Sequence, residues 1–208
     1  MLIALSPLST ILVGPLLLAY GPIWLVSSRS PSSTIRCSSD VRRSRVSLSA
    51  VTNISTSASV FIPRPREEVF RFATDSTNAP RTIRSRRPFA GISKIEMHQG
   101  QSLAKGSKRR IFMTDGAILE EDILAYDPPV RHRYGWAGGV KPPFSLLVRS
   151  GTGNWDFAEA DGGTRVVWTY TFGLTSPLAY PLAIPITWLF KGWLQQGLDA
   201  LRAELLAS

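Results

Sequence analysis

Residues 153–172, GNWDFAEADGGTRVVWTYTF, decide the fold. Asp161-Gly162-Gly163 supplies turn residues for which φ above zero costs little, and it lies between runs rich in aromatic and β-branched side chains. The pattern predicts a β-hairpin with strands over 153–158 and 164–172. By the two-residue period of a strand, Val166, Trp168, Tyr170 and Phe172 share one face, and Arg165, Val167, Thr169 and Thr171 share the other. Trp155 and Phe157 face the same way on the first strand, opposite Asn154 and Asp156, so the hairpin has one aromatic, dry face. Such a stripe is either packed core or the wall of a cavity.

Past Phe172 the sequence Gly173-Leu174-Thr175-Ser176-Pro177 reads as a turn, followed by an apolar run interrupted by Pro181 and Pro185. Proline removes a backbone donor but is tolerated in a first helical turn, so a regular helix is expected from about Ile184 to Ala207. Ile186, Leu189, Phe190, Trp193, Leu194, Gly197, Leu198, Leu201 and Leu205 recur at three-and-four spacing and form one apolar stripe. A transmembrane helix needs about 20 apolar residues. The run from Leu178 to Phe190 is too short before Lys191 intervenes, so the helix is expected to lie on the sheet.

Working back toward the N-terminus, the composition of the 208-residue chain changes near residue 57. Residues 2–26 carry no charged side chain and are long enough to enter a bilayer, whereas 27–56 are crowded with Ser, Thr and Arg and show no helical or strand period. Three segments are therefore expected: an apolar leader at 1–26, a disordered Ser/Arg-rich linker at 27–56, and one globular domain at 57–208. No positive charge precedes the apolar run, and Arg29, Arg36, Arg42, Arg43 and Arg45 follow it. As a membrane anchor, residues 2–26 would leave an intracellular domain on the cytoplasmic side. The Ser- and Arg-rich segment behind an apolar run is also similar to a two-part plastid import leader. A third alternative is that translation starts further on.

The formal charge of +9 comprises +4 from five Arg and Asp40 up to residue 56, and +5 from the rest. Its dense runs, 81–87 and Lys108-Arg109-Arg110, lack the interleaved aromatics of a single-strand nucleic-acid platform and read as a solvated basic rim. No nucleic-acid partner is expected. The single cysteine, Cys37, excludes an intrachain disulfide framework. No His/Asp/Glu spacing suggests a metal and no Gly-rich stretch has a phosphate-loop pattern, so no cofactor is expected.

The domain opens with a strand at 57–62 and a short helix after Pro65, whose Glu67 and Glu68 suit the positive end of a helix dipole. Val69, Phe70 and Ala73 give that helix a buried face. Strands are expected at 92–98, 107–114, 117–126 and 130–137, then a longer one leading into the hairpin. "PREEVFRFATD" after the first strand, "ILAYDPPVRHRYGW" in the middle and "GTGNWDFAEADGGTRVVWTYTF" before the last helix resemble the polyketide cyclase/dehydrase group of the START-like (SRPBCC) superfamily. The resemblance covers 57–207. It implies an α+β helix-grip fold, a curved antiparallel sheet around a long C-terminal helix, enclosing a hydrophobic cavity for lipids, quinones, isoprenoids or polyketides. It transfers no catalytic motif.

Function is then read from residues expected to face the cavity. In Val130–Trp136, His132, Tyr134 and Trp136 share one face while Arg131 and Arg133 take the solvent side. Glu121 separates in the same way from Glu120 and Asp122, and pairing with Arg110 or Arg149 would account for a buried carboxylate there. Aromatic walls with few convergent polar groups suit binding or transport of a hydrophobic small molecule, with Trp136, Trp155, Phe157, Trp168, Tyr170 and Trp188 as ligand-binding residues. The alternative is a cyclase, aromatase or dehydratase in which His132, Tyr134 and Glu121 move protons.

Overall fold

The computed structural model describes residues 52–208. Its centre is a curved, fully antiparallel seven-stranded sheet in the order β1-β7-β6-β5-β4-β3-β2. The strands are β1 (Asn53–Ile62), β2 (Ile92–Met97), β3 (Lys108–Met113), β4 (Ile118–Asp127), β5 (Arg131–Ala137), β6 (Val148–Ala160) and β7 (Gly163–Leu174). Helices α1 (Arg66–Thr74) and α2 (Ala79–Thr82) fill the connection between β1 and β2, and α3 (Tyr180–Ala207) ends the chain. Strand, helix, meander and long helix follow in the expected order. The expectations for residues 1–26 and for the linker up to residue 51 lie outside the described residues.

The hairpin forms in the register its pattern requires, with Trp155 opposite Trp168 and Phe157 opposite Val166. Its turn is tighter than expected: Ala160 pairs with Gly163, leaving Asp161 and Gly162 as the loop, and Gly162 takes φ +78°. β1 begins at Asn53, four residues ahead of the expected domain boundary, and pairs with β7 along its whole length. Ile54, Thr56 and Ala58 point inward there, and two of these three are too small or polar for the alternation to stand out in sequence.

Helix α3 also starts earlier than expected, at Tyr180, with Pro181 in its first turn and Pro185 inside it. The amide that Pro185 lacks would have addressed the carbonyl of Pro181, so the loss falls at the helix's beginning, where it costs least. Its buried stripe, Phe190, Trp193, Leu194, Gly197, Leu198, Leu201 and Leu205, closes on the hairpin's aromatic face. Trp193 packs against Trp168 at 5.7 Å between ring centroids, and Phe190 lies 5.0 Å from Tyr170 and 4.9 Å from Phe172. No gap separates helix from sheet along this stripe, which is therefore core. Fully burying each large apolar side chain contributes about 1.5–3 kcal/mol, so the stripe is a main source of stability.

The basic run at 81–87 does more than rim the domain. Glu204 of α3 accepts from Arg81 at 3.3 Å and lies 3.8 Å from Arg84, and Trp193 Nε1 donates to the Arg84 carbonyl at 3.0 Å. Among the described residues no helix is long and apolar enough to cross a membrane.

Candidate functional site

Alternation in three neighbouring strands turns four polar side chains inward at one end of the core. Lys108, Arg109 and Arg110 of β3 stand directly opposite Asp122, Glu121 and Glu120 of β4. The outer two pairs are exposed ion pairs, Lys108 with Asp122 at 3.1 Å and Arg110 with Glu120 at 2.7 Å, each worth about 0–1 kcal/mol. The middle pair faces in. Arg109 Nε donates to Glu121 Oε2 at 2.8 Å, and the two residues are only 7% and 6% exposed. Burial pushes the Glu121 carboxyl above its ordinary range, and the charge and hydrogen bond of Arg109 only partly oppose that shift.

His132 and Tyr134 of β5 complete the group. His132 is 4% exposed, and neither ring nitrogen has a hydrogen-bond partner among the described residues. Burial, reinforced by the positive charge of Arg109, lowers its pKa to about 3, so the imidazole is neutral at physiological pH. An Ala125 backbone group favours the protonated ring weakly but makes no hydrogen bond of regular geometry. The Arg109 guanidinium sits 5.1 Å from the centroid of the Tyr134 ring, a cation–π contact. Burial, followed by the nearby Glu121 carboxylate, pushes the Tyr134 phenol far above its ordinary value.

Two spaces meet at this group. A small, partly enclosed inner cavity of about 40 Å³ is lined by Arg109, Glu121, His132, Tyr134 and Trp155, with Ile83, Ile92, Ile95, Ile111 and residues of α1 and α2 on its other sides. It is a little larger than one water molecule. Outside it lies an open cleft of about 590 Å³ walled by Phe70, Met97, Leu103, Tyr126, Pro128 and Pro129, with Glu67 and Arg71 at its edge. Thr74, Asp75, Ser76 and Arg109 line both spaces and form the partition between them.

Two glycines let the rings of β5 lie across β6. Trp136 pairs with Gly151 and Tyr134 with Gly153. A Cβ on Gly153 would fall 2.3 Å from Tyr134 Cζ, and one on Gly151 would fall 2.5 Å from Trp136 Cζ2. Gly153→Ala is thus expected to displace the Tyr134 ring and cost roughly 1–3 kcal/mol, as overpacking does. Urea unfolding checks this; wild-type stability in the variant would show that the ring has room to move.

Of the residues singled out from sequence, Glu121, His132, Tyr134 and Trp155 meet around the inner cavity. Trp136, Phe157, Trp168 and Tyr170 are buried beyond it, with Trp136 Nε1 donating to the Tyr170 hydroxyl and Trp155 stacked on Trp168 at 4.4 Å. Trp188 is corrected: it is 74% exposed, on the side of α3 away from the sheet, because Ala183, Thr187, Phe190 and Leu194 take the inward positions. The partner of Glu121 is also corrected, from Arg110 or Arg149 to Arg109. As one of three consecutive cations Arg109 reads as part of a solvated rim, but it shares the inward face of β3 with Ile111. The cleft walls were missed as well, since Met97, Leu103 and Tyr126 lie at strand ends and in a loop where alternation gives no signal.

A family model described as polyketide cyclase / dehydrase and lipid transport matches residues 53–206. No protein with a curated description matches. Among solved structures, that of Ara h 8.0201 aligns with TM-score 0.55 at 18% identity over 76% of this chain and 100% of that one. Protein MLL2253 from Mesorhizobium loti aligns with TM-score 0.55 at 17% identity over 74% and 98%. Major latex-like protein 151 from Panax ginseng aligns with TM-score 0.53 at 15% identity over 73% and 97%. At such identities the likeness establishes the helix-grip fold alone, and the family follows from the matched model. The chain belongs to the polyketide cyclase/dehydrase and lipid-transport family, within the START-like group that its strand and helix motifs resemble.

Proposed function

We propose that the domain binds a hydrophobic small molecule carrying one polar end, without transforming it. The apolar body would occupy the cleft, and the polar end would meet the Arg109, His132 and Tyr134 group past the partition at 74–76. The observation that carries this reading is the meeting of an open, largely apolar cleft with a small cavity whose buried His132 nitrogens lack partners. A buried polar group without a partner costs free energy, and a ligand carbonyl or hydroxyl that satisfies it gains specificity. The aromatic stripe from Trp168 to Phe172 would then serve the site as a rigid back support.

Proton-transfer catalysis fits the same residues less well. A general acid or base works best with a pKa near the working pH. His132 is held near 3 and Tyr134 is pushed far upward; burial moves the Glu121 carboxyl up toward the working range, but its side chain is engaged by the Arg109 guanidinium rather than free to meet a substrate proton.

A titration with an environment-sensitive naphthalene dye, displaced by fatty acids and by aromatic ketones, tests the proposal. The expected result is saturable one-to-one binding that Leu103→Arg weakens by about tenfold or more, measured well below the variant's melting temperature because Leu103 is half-buried against the core. His132→Ala should retain binding of the apolar body while losing preference for ligands with a polar end. Equal affinity in wild type and Leu103→Arg would remove the cleft from the binding site.

A further inference from the structure

The N-terminal half of α3 breaks the rule for a helix on a protein surface. From Leu178 to Phe190 the chain has no charged residue. Ala183, Thr187 and Phe190 are buried, while the outward positions, where a surface helix carries polar side chains, are apolar as well. Leu178 is 86% exposed and Trp188 74%, with Leu182, Ile184, Leu189 and Tyr180 also exposed between or beside them. Six of the large exposed apolar side chains among the described residues thus fall within twelve positions. A contiguous patch of this kind marks a surface that something covers.

The patch has a cationic border. Lys191 follows its last turn and is exposed, and the Arg86 guanidinium donates to the Gly192 carbonyl at 2.6 Å. Exposed Arg87 extends the same loop. Apolar side chains that include Trp and Tyr, bordered by Lys and Arg, are the composition of a helix that lies in the headgroup region of an anionic membrane. Glutamate and aspartate are absent from the whole stretch 176–198, so nothing on the helix face opposes a negative surface.

We propose that the 178–191 face is a peripheral membrane-docking surface for anionic phospholipid, with Leu178, Leu182, Trp188 and Leu189 entering the acyl boundary and Arg86, Arg87 and Lys191 contacting phosphate. The face is independent of the ligand site, so its failure would leave the binding proposal standing.

The test is co-sedimentation of the full chain with vesicles of phosphatidylcholine alone and with added phosphatidylglycerol. Because residues 2–26 are themselves apolar, the comparison is between the wild-type chain and Leu182→Glu/Trp188→Glu, with Arg87→Glu/Lys191→Glu as a second variant. These side chains are exposed, so the melting temperature should stay unchanged. Binding to the phosphatidylglycerol vesicles should fall by about tenfold or more in the first variant. In the second it should fall several-fold and lose its salt sensitivity, since exposed charges are screened within about 10 Å at 0.1 M salt. Undiminished binding in both variants would assign any membrane attachment to residues 2–26 and overturn the proposal. A wild-type dimer that the first variant dissociates, without vesicle binding, would overturn it in favour of a second copy of the chain.

Discussion

Glu121→Leu is expected to destabilise the domain by about 3–5 kcal/mol, because it leaves the buried Arg109 guanidinium without its counter-charge. Arg109→Met alone is expected to cost a similar amount at neutral pH. The double variant Arg109→Met/Glu121→Leu should recover most of the loss or exceed the wild type, since apolar side chains of similar volume carry no desolvation penalty. Urea unfolding of the four proteins checks all three statements. A double variant as unstable as either single one would mean that the pair supports the fold through shape rather than charge. Recovery in the double variant matters for the site, because a pair that contributes little net stability is one the fold keeps for another reason. In the binding proposal that reason is a fixed positive group at the inner end of the cleft.

The second large effect is a pH dependence traceable to His132. Its folded pKa of about 3 lies below the ordinary value of 6.5, so between those pH values the unfolded chain binds one more proton than the folded one. Stability from this residue is fully present above pH 6.5 and is lost as the pH falls toward 3. The slope approaches about 1.4 kcal/mol per pH unit and the total is roughly 4–5 kcal/mol. Glu121 acts in the opposite sense. Its raised pKa favours the folded state below its ordinary value of 4.5, and that contribution fades as pH rises through the folded pKa. Comparing the wild type with His132→Leu isolates the histidine, since Glu121 is common to both. The variant should lose most of the slope between pH 3 and 6.5, and at pH 7 it should match or exceed wild-type stability because the orphaned ring nitrogens are gone. Superimposable pH profiles would contradict a buried, neutral His132.

The residues differ in how openly they announced these roles. The β6–β7 hairpin was legible because each strand is long, strongly alternating and closed by Asp161-Gly162. Alternation alone also separates Glu121 from Glu120 and Asp122, and His132 from Arg131 and Arg133. It failed at β3 because three consecutive cations look like a solvated run. The step from Arg109 to inward Ile111, and the cross-strand match of Lys108-Arg109-Arg110 to Asp122-Glu121-Glu120, reveal that the middle pair is inside. The start of β1 was hidden because its inward positions, Thr56 and Ala58, are not large apolar residues. Trp188 misled for the opposite reason: tryptophan is usually at least half-buried, and the period of α3 assigns its inward positions to smaller neighbours. The cleft depends on where α1 and the ends of β2 and β4 come to rest, which no local pattern encodes.

The aromatic stripe that first suggested a cavity is packed against α3, and in the binding proposal the ligand instead takes the open cleft on the other side of the polar group, toward α1. Native mass spectrometry of the full chain with co-purifying small molecules tests that claim most directly. The expected spectrum shows one apolar molecule per chain, retained by the wild type and lost from Leu103→Arg. A bare chain in every preparation, or an adduct that Leu103→Arg holds as firmly as the wild type, would contradict it.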